Sequence, residues 1–168
     1  PGEMKPEAFT AYAIYSNMEQ TGSFECSNPK LTQLHKNVVW SQKGNFLDIP
    51  TDCPTRERAG WTGDAQIFVH AGSLLMNDAA FYSKWIMDVA SAMGKSGVVP
   101  NFVPSTEIDA EKGVMKLIEG SSGWGDAMVI IPWEIYQLFG DIEILRELYD
   151  SMKGWVEYER KLARRSHW

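Results

Sequence analysis

Apolar positions in this chain recur mostly at helical spacing, interrupted by two long polar stretches. Residues 8–15, AFTAYAIY, are the exception: small, β-branched and aromatic residues in partial alternation predict a strand, the last of a preceding β region. Residues 16–27 read as a loop, with Asn17, Gly22 and Ser23. Asn28 then suits a helix N-cap and Pro29 the first helical position. Leu31, Leu34, Val38 and Val39 form one apolar stripe down to about Lys43. Residues 49–63 are polar and irregular. Ile67, Phe68, Ala71, Leu74 and Leu75 mark a second helix starting near Asp64. Asp78 starts a third, with Phe81, Trp85, Val89 and Met93 inward and its end at Gly94. Residues 95–123 form a long connection rich in Gly, Pro and Ser, and such loops in compact domains are usually functional. A fourth helix covers 127–139, where Pro132 either kinks it or marks its true start. Gly140 closes it and Asp141 caps a fifth helix, in which Ile142, Leu145, Tyr149, Met152 and Val156 keep a helical period.

Helices joined by alternately short and long connections predict antiparallel hairpins. The expected fold is therefore mainly α with a short N-terminal β segment. Residues 1–27 read as the end of a β region and a linker, and 28–168 as a helical domain. The 168 residues are 44% apolar and 12% aromatic, as in globular chains. Seven tryptophans fit either a large helical core or a sugar site, since indole faces stack on the apolar faces of pyranose rings. Composition leaves both open.

Net charge is −6 and no Lys/Arg stripe runs along a helix, which argues against phosphate-dominated nucleic-acid binding. The basic cluster Arg160, Lys161, Arg164 and Arg165 suits a helix C-terminus. No apolar run approaches the ~20 residues that span a bilayer, so no membrane partner is expected. The start, PGEMKPEAF, lacks the apolar segment of a signal peptide and reads like the middle of a longer chain. A cytoplasmic or an exported location stays open. Cys26 and Cys53 give neither a disulfide framework nor metal spacing, and His35, His70 and His167 form no ligand set.

Chemistry concentrates in residues 48–64, DIPTDCPTRERAGWTGD. Asp52, Arg56, Glu57, Trp61 and Asp64 fall close together in a stretch too rich in Pro and Gly for regular helix. Carboxylates hydrogen-bond sugar hydroxyls, and the Arg56 fork can orient an acid. Trp61 can supply an apolar wall, and low polarity raises a carboxyl pKa as a general acid requires. A structural role competes with this one: Arg56 and Arg58 could pair with Asp52, Glu57 and Asp64 to pin the loop. Asp64 could equally be a helix-start residue. Residues 120–126, GSSGWGD, place Trp124 and Asp126 before the next helix, repeating the Trp and Asp of GWTGD at 60–64. A capped helix start explains that segment as well as a ligand contact does.

The run TGSFECSNPKLTQLHKNVVWSQKGNFLDIPTDCPTRERAGWTGDAQIF resembles the start of the (α/α)6 domain in bacterial α-L-rhamnosidases of glycoside hydrolase family 78. GVVPNFVPS and GSSGWGDAMVIIPWEIYQLFGD resemble the same family's continuation, so the likeness covers about 20 to 158. Many members read Arg-Asp-Glu-Arg where this chain has Arg56, Glu57 and Arg58, while the spacings of Asp52 and Asp64 from Glu57 agree.

The resemblance implies that the chain is part of an (α/α)6 toroid. Glu57 would be the general acid that protonates the glycosidic oxygen, and Asp52 and Asp64 the carboxylates that hold rhamnose hydroxyls. Arg56 and Trp61 would line the pocket, joined by Trp124 and Asp126. The implied mechanism is inverting, takes no metal or organic cofactor, and draws its base from a glutamate on a later hairpin. The expected partner is a rhamnose-containing glycoside. The chain alone is expected to be inactive, and its unpaired apolar helix faces to drive self-association. A non-catalytic carbohydrate-binding fragment and an (α/α)6 glycosidase with another sugar preference are the competing expectations.

Overall fold

The computed structural model describes residues 5–105 and 120–166. In chain order these form a 3-10 turn (Pro6–Ala8), α1 (Pro29–Asn45), β1 (Phe46–Leu47), β2 (Ile49–Pro50), α2 (Thr62–Leu75), α3 (Ala79–Ala92), the single turn α4 (Ser122–Gly125), α5 (Ala127–Phe139) and α6 (Ile142–Ser166). Residues 106–119 of the long connection lie outside the described residues, as do His167 and Trp168.

Local chemistry sets the helix ends. The Asn28 side chain accepts from the Lys30 amide at 3.0 Å, and Pro29 occupies the first turn, where its missing N–H costs nothing. Gly140 takes the left-handed conformation (φ 72°) that closes α5, and its N–H donates to the Tyr136 carbonyl. Asp141 Oδ1 then accepts from the amides of Glu143 and Ile144 at 3.0 and 3.3 Å. Pro132 does not mark the start of α5. It lies buried inside the helix, which runs through it without the one backbone bond that proline cannot donate.

A short connection folds α5 back on α6, and α5 also packs on both α2 and α3, which follow one another in the chain and meet chiefly through it. The core sits among these four helices. Tyr82, Trp85, Ile86 and Val89 of α3 meet Met128, Ile131 and Ile135 of α5, with Ile144, Leu148 and Trp155 of α6 beyond them. Trp85 and Trp155 are thus core tryptophans, whereas Trp40 and Trp133 are exposed.

Three expectations are corrected. Residues 8–15 are not a strand: Phe9, Tyr12 and Ile14 lie exposed, because an isolated extended segment finds no sheet partner for its backbone among the described residues. The two-residue strands appear instead at 46–50, where Phe46 pairs with Pro50 and Asp48 turns the corner at φ 67°. The α1 stripe is only partly inward, with Val39 buried and Leu31 and Leu34 exposed. On α6 the fully buried residues are Ile144, Leu148 and Trp155; of the periodic set, Leu145 and Met152 pack against the core while Ile142, Tyr149 and Val156 are exposed. Spacing identifies a helix, but its neighbours choose which of two adjacent stripes is covered.

Asp78 sits at the N-cap position of α3 without making a side-chain cap. Its carboxylate turns into the core, accepting from Ser73 Oγ at 2.7 Å and from Gln42 Nε2 at 3.2 Å. Gln42 Nε2 also reaches the Gly72 carbonyl at 3.3 Å, so this polar cluster joins α1, α2 and the start of α3.

Candidate active site

The loop between β2 and α2 is closed by its own backbone. The Asp52 amide donates to the Ala59 carbonyl at 3.0 Å, and the Ala59 amide returns a bond to Asp52 Oδ1 at 3.0 Å. A second strap is the extended segment 99–103, whose Val99, Asn101 and Val103 are buried in alternation. Thr62 donates its amide to the Asn101 carbonyl at 2.8 Å, and Val103 donates to the Gly60 carbonyl at 2.9 Å. Trp85 on α3 fixes that strap by an indole N–H to the Val103 carbonyl. A Cβ at Gly60 would collide with the same carbonyl, so only glycine permits the approach.

Within this frame Glu57 lies at the surface, its side chain 41% exposed. Trp61 Nε1 donates to Glu57 Oε2 at 2.9 Å and Arg56 donates to Oε1 at 3.2 Å. Trp61 thus offers Glu57 its polar edge rather than the expected apolar wall. Arg56 is 85% exposed, so this ion pair orients the acid while adding little stability. Among the described residues Arg58 makes no ion pair, and Asp52 and Asp64 are not bound to arginine. Backbone and thiol bonds, rather than arginine pairs, pin the loop.

The two flanking carboxylates are tuned in opposite directions. Partial burial pushes Asp52 up, but hydrogen bonds from the Cys53 thiol and the Ala59 and Cys53 amides together outweigh it and hold Asp52 below its usual value. Asp64, in the first turn of α2, is raised chiefly by burial, with the negative charges of Asp52 and Glu57 adding to it. Of the three carboxylates, Asp52 and Asp64 line one cavity, and Glu57 lies outside its wall.

The structure brings the second Trp and Asp segment to the same end. Trp124 on α4 lies 6.4 Å from Trp61, ring centre to ring centre, at 56°. Gln66 Nε2 ties α2 to the Gly123 carbonyl at 2.8 Å. A cavity of about 560 Å³ opens beside them, with Asp52, Asp64 and Trp124 in its wall and Phe46, Phe68 and Tyr82 deeper in. Asp126, expected in this pocket, is placed differently: its Oδ1 accepts from Trp155 Nε1 at 2.9 Å, bracing α5 against α6. Among the described residues no group of three or more His, Cys, Asp or Glu is arranged to hold a metal ion.

Two contributors are not visible in the sequence as site residues. Phe102 packs on Trp61 at 5.1 Å, and the buried alternation of 99–103 is the available signal. Cys53 accepts the Glu57 amide at 3.2 Å, a role that disulfide and metal spacings do not reveal.

Residues 19–168 match the family model for the bacterial alpha-L-rhamnosidase 6 hairpin glycosidase domain. An alpha-L-rhamnosidase of Formosa agariphila is 44% identical over 151 residues, covering 89% of this chain and 15% of that protein. Another, from Streptomyces avermitilis, is 36% identical over 162 residues, covering 96% of this chain and 15% of the relative. The crystal structure of the Streptomyces avermitilis alpha-L-rhamnosidase complexed with L-rhamnose superposes with a TM-score of 0.80 at 36% identity, over 88% of this chain and 14% of that one. This chain therefore spans about 15% of the length of these relatives. Its helix hairpins are part of a six-hairpin, (α/α)6 arrangement, and the chain belongs to the bacterial α-L-rhamnosidase six-hairpin glycosidase family.

Proposed function

We propose that the protein carrying this chain is an inverting glycoside hydrolase of terminal α-L-rhamnosides, with Glu57 as its general acid. One observation carries the proposal: Asp52, Asp64 and Trp124 line one cavity, and Trp61, packed beside Trp124, donates its indole N–H to Glu57. Carboxylates that accept hydroxyl bonds next to indole faces make a pyranose site. In it Asp52 and Asp64 hold sugar hydroxyls, and Trp61 and Trp124 cover the apolar ring face. Arg56 and Trp61 aim Glu57 at the departing oxygen, and Asp126 holds the start of α5 against α6 through Trp155. L-rhamnose in the structure of the Streptomyces avermitilis relative supports the choice of sugar.

Inversion needs a second carboxylate about 6.5–9.5 Å from the acid, with a water between them. That base comes from sequence outside these 168 residues. A chain extended to the length of its relatives should hydrolyse an aryl α-L-rhamnoside, and proton NMR should show β-L-rhamnose forming first. Initial release of the α anomer would overturn the inverting mechanism. Robust turnover by the 168-residue chain alone would overturn the placement of the base.

Self-association belongs to the same proposal. Ile67 and Leu74 on α2 and Ile130 and Trp133 on α5 are exposed, and apolar helix faces of this kind drive association in water. Sedimentation velocity on the 168-residue chain should show dimers or larger species. A single monomeric boundary, with cooperative melting, would count against it.

A further inference from the structure

We propose that Phe102 is a positioning residue for Glu57, acting through the Trp61 indole. Trp61 and Phe102 face each other as an antiparallel pair. The Thr62 amide bonds the Asn101 carbonyl on one side of it, and the Val103 amide bonds the Gly60 carbonyl on the other. Bonds that flank a pair without joining it mark the kind in which opposed side chains stand closest. The two rings accordingly meet at 5.1 Å, tilted by 50°, within the range where aromatic edges and faces attract. Of the two rings packed on Trp61 among the described residues, Phe102 is the nearer, since Trp124 lies at 6.4 Å.

Its neighbours in the strap fix Phe102 in place. Val99, Asn101 and Val103 are buried, and two-residue alternation turns Phe102 to the opposite side, where it is half-buried. Thr62 Oγ1 adds a second bond to the Asn101 carbonyl at 2.9 Å, and the Trp85 indole holds the Val103 carbonyl at 3.0 Å. These bonds place the Phe102 backbone whatever its side chain is. The Trp61 ring, by contrast, is bonded at its N–H end to Glu57, whose own side chain is 41% exposed. An indole held only there could change rotamer with its partner. The Phe102 ring removes that freedom and sets the direction from which the N–H meets Glu57 Oε2 at 2.9 Å. Phe102 lies outside the wall of the cavity that Asp52, Asp64 and Trp124 line, so it acts on the site by way of Trp61.

This role rests on Glu57 being the acid of the proposed reaction, and the test keeps the two apart. Phe102→Leu, Phe102→Tyr, Trp61→Phe and the double variant of Phe102→Leu with Trp61→Phe are made in a chain extended to the length of its relatives. Phe102→Leu should lower kcat/KM on an alkyl α-L-rhamnoside by roughly 10- to 100-fold, as a small misplacement of a catalytic group does. The loss on a dinitrophenyl rhamnoside, which needs no acid, should be much smaller. Phe102→Tyr keeps the ring and should keep the activity. Trp61→Phe removes the N–H, so adding Phe102→Leu to it should cost little more. Full additivity of the two losses, equal losses on both substrates, or failure of tyrosine to preserve activity would each overturn the inference. A second reading needs no turnover. In a chain labelled with 5-fluorotryptophan, the Trp61 fluorine resonance, assigned by its absence in Trp61→Phe, should move in Phe102→Leu. An unmoved resonance overturns the inference as well. If the resonance moves but the extended chain hydrolyses no rhamnoside, the proposed activity has failed while the hold of Phe102 on Trp61 stands.

Discussion

Glu57→Gln, made in a chain extended to the length of its relatives, is expected to lower kcat/KM for an alkyl α-L-rhamnoside by roughly 100- to 10,000-fold, the range a general acid supplies. The amide keeps the length of the side chain and an oxygen for the Trp61 indole, whose N–H reaches Glu57 at 2.9 Å, but it has no proton to give. An alkoxide departs poorly without protonation, whereas a dinitrophenolate departs readily with none. The loss should therefore be far smaller on a dinitrophenyl rhamnoside. Comparing kcat/KM on the two substrates separates acid catalysis from binding. Equal losses on both would make Glu57 a sugar-binding residue, and no loss on either would remove it from the chemistry.

The second large effect concerns the buried carboxyl of Asp78. Burial raises its pKa from 3.8 to about 6, despite hydrogen bonds from Ser73 and Gln42 that favour the charged form. An unfolded Asp78 ionises near 3.8, so between that pH and about 6 the folded chain holds a proton that the unfolded chain has lost. Folding is favoured where the proton is kept. This contribution is fully present below about 3.8 and disappears as pH rises through about 6.

A rise of that size corresponds to about 3 kcal/mol, or roughly 10 °C in Tm for a chain of this length. Asp78→Asn removes the titration. Its amide can still accept from Ser73, and a rotated Gln42 amide can accept from it, since Gln42 Oε1 has no other partner among the described residues. Relative to Asp78→Asn, the wild-type chain should lose up to about 3 kcal/mol in urea melts between roughly pH 4 and pH 7. Parallel pH profiles for the two proteins would show that Asp78 is ionised throughout.

Legibility followed the range of the interactions. Asn28, Pro29, Gly140 and Asp141 act within one turn of their own position, and their caps are where the sequence puts them. The acidic loop is equally visible, because Asp52, Glu57, Trp61 and Asp64 are neighbours in the chain and interact as neighbours. Cys53 is local too, but an ambiguous residue type: thiols are read for disulfides and metals before hydrogen bonds. Asp78 looks like an ordinary cap, and nothing nearby reveals that Gln42, far earlier in the chain, draws it inward.

What the sequence by itself determined is the mainly helical hairpin pattern, the helix ends and a loop dense in carboxylates with a family's motif. Those depend on spacing and on contacts a few residues apart, where chain entropy leaves few alternatives. Only the tertiary structure decided which stripe of α1 and α6 is buried, and that residues 8–15 form no strand. It also turned Asp126 to Trp155 and left Trp61 facing Glu57 through its N–H. Each of these outcomes is a competition among partners distant in sequence. Packing and desolvation settle such competitions only when all the competing surfaces are present.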